Sequence, residues 1–415
     1  MDGDGEIVIF LTGETVGQLK PCGCAADQLG GFEKRKTVLD TVDSERRLVV
    51  DTGHLVDGRS EQDILKYETI VHALFMLGYD AVNLDASDVE IARNSFGLAN
   101  MPFAIISGSD ESGEVKRSYT KILKMNGTVL PVTVGSIRSD QVTAGEVEKL
   151  FSLEGDIPGL NILLVDSCDD AVLETIAQAV DVVDVVVCPF GSDEAEIVAE
   201  LPDAPLVISA GRLGKYVGKL RVKLLEGKLE FAYEKIAIDG TLKPDEELVQ
   251  LYSTYQQTLK DDNYLAKVSK VPLPGGLKYA GSDKCHGCHE YNNEKWSNLK
   301  HAHAYQTLVD VTSQYDPECI KCHVVGFGYE SGFSDENSSK GLRNVGCETC
   351  HGPRSQHIED ALNDDISTKK AEPVAVVSCI ECHTSEHSPD YQTDVRGYWG
   401  KIVHWKEPKQ NSPVK

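Results

Sequence analysis

The chain has 415 residues, 41% hydrophobic and 26% charged, the balance of an ordinary folded protein with room for two or three domains. A net charge of −25 excludes binding to nucleic acid or anionic membrane through a basic surface. The longest apolar run, around Val182 to Phe190, is far too short to cross a bilayer as a helix.

Taken in order, residues 6–12 read as a buried strand, followed by a Gly-rich loop and a helix near 32–42. Residues 47–51 form a second strand ending in Asp-Thr-Gly, a helix spans about 61–77, and residues 80–84 are a third strand. Further strands are expected at 103–107, 129–135, 161–166, 182–188 and 206–209, with helices after Asp169 and Asp193. Apolar runs alternating with amphipathic helices predict an α/β domain, a largely parallel sheet covered by helices on both faces. Residues 216–225 and 228–238 alternate as a closing hairpin turning at Glu226-Gly227, and a helix from about Pro244 to Leu259 ends the domain. The Pro- and Gly-bearing stretch 268–277 reads as a linker, giving domains at 1–267 and 278–415. The second holds 15 Lys and Arg against 20 Asp and Glu, so −20 of the charge falls on residues 1–277.

The second domain is expected to be mainly helical and irregular, and its few aliphatics cannot bury a self-sufficient core. It carries one pentapeptide four times: Cys285–His289, Cys319–His323, Cys347–His351 and Cys379–His383, each Cys-x-x-Cys-His. With 12 Cys and 12 His in the chain, composition alone would give roughly 0.01 such motifs. This is the attachment pattern of c-type haem. Cys285, Cys288, Cys319, Cys322, Cys347, Cys350, Cys379 and Cys382 become thioether donors, and His289, His323, His351 and His383 become proximal iron ligands. Zinc pairs need no trailing histidine, and every pair here has one. The expected cofactors are therefore four haems, which supply the core that the chain lacks.

Around these motifs the domain is similar to the tetrahaem cytochrome c family that accepts electrons from hydroxylamine oxidoreductase. The resemblance rests on Gly281–His289, Trp296 with His301-Ala-His303, Cys319–Gly328 and Asn344–Pro353. It implies His357 as distal ligand to the first haem, His301 to the third and His404 to the fourth, with no distal side chain on the second. His303 and His387 are spare candidates for that iron, and His286 is expected to face solvent.

Thr12–Gly17, Asp51-Thr-Gly-His54 and Tyr79–Ser87 make the first domain resemble the metallophosphoesterase fold, 5′-nucleotidase branch. The family's metal ligands are replaced by Glu14, Val16, His54 and Ala86-Ser87, and no histidine lies between His72 and His286. A two-metal hydrolase needs several placed ligands, so a retained scaffold is expected in place of a phosphatase. Cys22, Cys24, Cys168, Cys188 and His54 all follow strands and are expected to converge at one sheet edge. Structural disulfides, a soft-metal or redox site, and inert thiols stay open as readings of that cluster.

The sequence thus reads as an electron carrier rather than an enzyme. It is expected in the periplasm or outside the cell, with redox proteins as partners or with copies of itself in a filament. Met1-Asp-Gly-Asp-Gly offers no export signal in this numbering. Two rivals stay open: a haem enzyme acting on a small nitrogen or oxygen species at an open second iron, and a binding module carrying a cytochrome. The four motifs predict an intact mass exceeding the polypeptide by four haems that resist acid–acetone extraction. Extractable haem, or stoichiometric zinc, would contradict this.

Overall fold

The structure, a computed structural model, describes residues 5–21, 28–125, 127–152, 159–179, 182–200, 204–363, 379–384, 387–388 and 390–404. The chain divides into two compact units, Met1–Tyr252 and Ser253–Lys415. Among the described residues no helix is long and apolar enough to cross a membrane.

The first unit runs β1 (Glu6–Thr12), α1 (Phe32–Leu39), β2 (Arg47–Asp51), α2 (Glu61–Met76), β3 (Ala81–Asn83), α3 (Ala86–Ser95) and β4 (Ala104–Ile106). It continues through β5 (Ser118–Met125), β6 (Thr128–Ile137), α4 (Ala144–Phe151), β7 (Leu160–Val165), α5 (Asp170–Ile176), β8 (Val185–Val187), β9 (Glu196–Ala199) and β10 (Leu206–Ser209). A hairpin, β11 (Tyr216–Leu225) and β12 (Lys228–Ala237), follows. Its turn sets both Glu226 and Gly227 at positive φ, the geometry that matches strand twist.

These strands form two six-stranded sheets, ordered β12-β11-β1-β2-β3-β4 and β5-β6-β7-β8-β10-β9. The runs β1-β2-β3-β4 and β6-β7-β8-β10 are parallel and the edges antiparallel. The expected α/β class holds, but as two mixed, mostly parallel sheets. Alternation along β1 sends Ile7, Ile9 and Leu11 into a core shared with Val132, Val134, Ile162 and Leu164 of the other sheet. The outer face of the second sheet buries Leu163, Val165 and Val186 against Val147 and Phe151 of α4 and Ile176 of α5. The segment after Asp193, expected as a helix, is the strand β9, in which Glu196, β-branched Ile197 and Ala199 pair along the edge of β10.

Helix α6 (Glu246–Asp261) straddles the division between the units. The second unit then contains α7 (Tyr264–Lys267), α8 (Glu290–Ser297), α9 (Ala304–Asp310), α10 (Pro317–His323), α11 (Cys347–His351), α12 (Ser355–Leu362) and α13 (Val395–Ile402). Its apolar clusters are small: Leu265, Tyr305, Leu308, Ile320, Val324 and Phe333 in one, Leu273, Tyr279 and Val325 in another. In the stretch expected as a linker, the Val271 amide donates to the Gly328 carbonyl and the Glu330 amide to that of Val271, both at 3.0 Å.

The position of the first core predicts a sharp contrast between two isoleucines. Ile162→Ala at its centre should cost about 2–5 kcal/mol, whereas Ile122→Ala, on a side chain 64% exposed, should stay within about 0.5 kcal/mol. Urea unfolding followed by far-ultraviolet circular dichroism would measure both.

Candidate functional site

Two regions bring chemistry-bearing side chains together. In the first unit, the carboxyl ends of strands from both sheets line a cleft of about 200 Å³ with Glu14, His54, Asn83, Asp85, Arg138 and Cys188 among its walls. Asp51, fully buried at the end of β2, accepts from the Thr12 hydroxyl at 2.6 Å and the Gly53 amide at 2.9 Å. Its carboxylate therefore holds the loop instead of facing the cleft. The loops after β1 and β2 are zipped by Glu14 N–H to Gly53 O (2.8 Å) and Val16 N–H to His54 O (3.1 Å). Glu14, Val16 and His54 all take left-handed φ of 44–58°, strain concentrated where a functional loop would store it.

His54 is committed on both sides. Nδ1 lies 2.9 Å from Asp85 and Nε2 2.7 Å from Asp57. Asp85 also caps α3, accepting from the Asp88 amide at 2.8 Å, and Asp88 accepts from the Leu55 amide, so the ring is built into the frame. The hydrogen bond to Asp85, against some burial and with help from Asp57, raises the imidazole to about 9. At neutral pH the cleft holds a side-chain cation between two carboxylates.

Cys168 and Cys188 form a disulfide with Cα atoms 5.7 Å apart, and Cys188 shares the cleft wall with His54. Cys22 and Cys24 lie outside the described residues. Among the described residues no group of three or more His, Cys, Asp or Glu side chains is disposed to hold a metal ion. Sequence reasoning missed Asp57 as a partner of His54, although the three-residue spacing offered a signal.

In the second unit each attachment motif is wound into a helical turn. The amide of His289 bonds the carbonyl of Cys285 at 3.0 Å, and that of His383 bonds Cys379 at 2.8 Å. The second and third motifs lie in α10, started by the Asp316 cap and Pro317, and in α11. Residues i, i+3 and i+4 of such a turn share one face, which gathers two thiols and an imidazole.

Chain from elsewhere brings a second imidazole to three of these turns. His289 faces His357 with ring centroids 6.3 Å apart, His383 faces His301 at 6.1 Å, and His351 faces His404 at 5.9 Å. Metal–imidazole bonds of about 2.0–2.1 Å on each side, added to a ring radius of about 1.1 Å, set two centroids about 6 Å apart across one iron. Free thiols stand beside these pairs in the same motifs, so the residues fit the group. The remaining ring nitrogens are oriented as ligating histidines require. Nδ1 of His323 lies 2.5 Å from the Ala304 carbonyl, that of His383 2.8 Å from the Ser388 hydroxyl, and that of His404 2.7 Å from the Ile402 carbonyl. Burial holds His301, His351 and His383 below the ordinary imidazole range, favouring the neutral, ligating form.

The pairing differs from the one the resemblance implies. His301 faces the fourth motif rather than the third, and His404 the third rather than the fourth. Between Trp296 and Leu308 the chain breaks at Leu299 (φ −88°, ψ 153°), and His301 sits on a separate tight turn. On that turn His303 points away, with Nε2 3.0 Å from the Ser297 carbonyl. His387 has Nδ1 2.7 Å from the Thr384 hydroxyl. His286, expected to face solvent, has its Nε2 buried without a hydrogen-bond partner.

The motifs also approach one another. The Cys285 thiol lies close enough to Cys347 to be raised by it, as Cys382 is by Cys322, and Cys350 feels the charge of Cys379. The first motif therefore adjoins the third, the second adjoins the fourth, and the third adjoins the fourth. His383 is further boxed by Tyr391, stacked at 5.0 Å, and Tyr398, edge-on at 5.3 Å, neither of which the spacing of the motifs reveals.

Residues 284–352 match the family model described as cytochrome c554 and c-prime. Cytochrome c-554 of Nitrosomonas europaea is 34% identical over 117 residues, which cover 24% of this chain and 50% of that protein. The chain thus spans about half the length of this curated relative. The structure of reduced cytochrome c554 from Nitrosomonas europaea aligns with a TM-score of 0.26 at 24% identity, over 31% of this chain and 85% of that one. A 5′-nucleotidase precursor from Thermus thermophilus aligns with a TM-score of 0.47 at 14% identity, over 74% of this chain and 68% of that one. The C-terminal part carries a cytochrome c554 domain, and the N-terminal fold is similar to that of 5′-nucleotidase structures.

The paired His54 generates a pH prediction. Its pKa is raised on folding, so the stabilisation is complete below about 6.5 and is lost as pH rises through about 9. Urea unfolding of His54→Ala should show a lowered midpoint at pH 6 and none at pH 10. An equal deficit at both would show that the ring contributes by packing and not by charge.

Proposed function

We propose that this chain is a multihaem electron-transfer protein working outside the cytoplasm, with one c-type haem at each of its four attachment motifs. The observation that carries this reading is the set of facing imidazoles, His289 with His357, His383 with His301, and His351 with His404, each separated by the span of one metal ion. When bound, c-type haem supplies a one-electron iron couple. The chain's own groups do the rest. The eight thiols would anchor the group, the three paired imidazoles would hold its iron and exclude small molecules there, and the bonds at Nδ1 fix ring orientation. Contacts between motifs favour an order of first, third, fourth and second along the unit. No distal partner is assigned for His323.

The acidic surface favours cationic redox partners and a salt-dependent encounter. Assembly with other copies of the chain is the extended form of the same reading. Location outside the cytoplasm follows from the attachment chemistry expected of this cytochrome class. The first unit serves as a scaffold, a role supported by a cleft in which His54 is clasped by Asp57 and Asp85.

Replacement of His357, His301 or His404 by Ala should each convert one haem to high spin in electron paramagnetic resonance while four haems remain attached. His303→Ala should leave the spectrum unchanged. A silent His301 or His404 variant would overturn the pairing, and turnover of a small nitrogen or oxygen species at the haem of His323, for which no distal partner is assigned, would favour a small-molecule enzyme.

A further inference from the structure

We propose that Glu348 is a positioning residue shared by the first and third attachment motifs. Its buried carboxylate ties the chain entering Cys285 and the turn leading to His357 onto the third motif, and its charge biases the irons there toward the oxidised state. The inference rests on the haem reading above.

Glu348 occupies a variable position of the third motif, inside α11, where the attachment chemistry makes no demand on side-chain type. It is nonetheless 1% exposed. Charged side chains are almost never so buried unless paired. Here three backbone N–H groups replace a cation. Ala280 donates at 2.9 Å, Gly281 at 2.7 Å and Arg354 at 2.8 Å. Such charge-assisted bonds are the strong ones, and each donor would otherwise need another acceptor.

The three donors are not scattered. Ala280 and Gly281 precede the first motif, whose His289 lies eight residues beyond Gly281, and Arg354 lies three residues before His357. One carboxylate therefore fixes both segments that bring the His289–His357 pair to its 6.3 Å separation. Neighbouring bonds reinforce the knot: the Lys278 amide donates to the Ser355 hydroxyl at 3.0 Å, and the Cys347 amide to the Ser282 hydroxyl at 3.2 Å. Gly281 sits at φ +88°, and a Cβ there would meet the Gly341 carbonyl at 2.8 Å, so the chain enters by a path open only to glycine.

The charge has a second effect. Glu348 adjoins Cys347 in sequence and acts electrostatically on Cys285, so it lies beside the attachment points of two motifs. A negative charge withdrawn from water favours the more positive oxidation state of a nearby iron. A residue serving only to fill space would leave the potentials untouched.

The test uses the holoprotein, Glu348→Gln and Glu348→Asp, with haem counted by intact mass and potentials read by spectroelectrochemistry. Glu348→Gln should raise at least one potential by on the order of 59 mV, a tenfold change in a one-electron equilibrium, while Glu348→Asp stays near the unaltered protein. Native potentials and an unchanged low-spin spectrum in Glu348→Gln would overturn the proposal. Should that variant fail to load haem, hydrogen exchange on the unaltered holoprotein decides. Slow amides at Ala280, Gly281 and Arg354 support the clamp, and exchange as fast as exposed Gly287 refutes it. Absence of haem from the unaltered protein would instead refute the functional reading itself.

Discussion

The constraint on which the C-terminal unit depends is the placing of three pairs of imidazole rings with their centroids about 6 Å apart. In each pair the motif histidine is fixed by a single helical turn. The histidine that faces it arrives on a separate piece of chain: His357 on α12, His301 on a tight turn after α8, His404 just beyond α13. Short helices joined by sharp loops suit this task better than long ones, because every loop can end where a ring is required. The apolar clusters that remain are small.

The first unit follows the opposite rule. Two sheets press together over a continuous aliphatic core, and their carboxyl edges would be expected to present reactive groups. Those groups turn on one another instead. Asp51 binds its own loop, Asp88 binds the Leu55 amide, and Asp57 and Asp85 clasp His54. Left-handed residues persist at Glu14, Val16 and His54 although no catalytic group is freed by them. Left-handed backbone and mutually satisfied side chains thus occur together in these loops.

What the sequence made legible is what depends on near neighbours along the chain. The attachment turns are visible because thiols and imidazole fall at i, i+3 and i+4, and the hairpin because Glu226-Gly227 supplies two residues fit for positive φ. Partnerships between distant segments were only partly legible. Histidines were countable as candidates, yet which turn His301 faces depends on a break at Leu299 within a stretch whose pattern reads as helical. The first sheet hid its partner for a related reason: a strand buried on both faces looks the same whether a helix or a second sheet covers it. Glu348 stands at a variable position of a motif, and three backbone donors converging on it from two loops leave no trace in composition.

The Cys168–Cys188 disulfide sets a requirement on how this protein is made. On the proposed reading, the two sulfurs of this bridge must lose electrons while the eight of the attachment motifs must keep theirs until they are alkylated by the cofactor. The oxidised pair lies only 20 residues apart and belongs to the part of the chain that leaves the ribosome first. Among the eight, Cys285 lies beside Cys347 and Cys322 beside Cys382, close enough that an oxidase acting early would have wrong partners at hand. Biogenesis therefore has to be ordered in time: a folding N-terminal half that is allowed to oxidise, and a C-terminal half shielded by a reductant until each sulfur is spent on carbon.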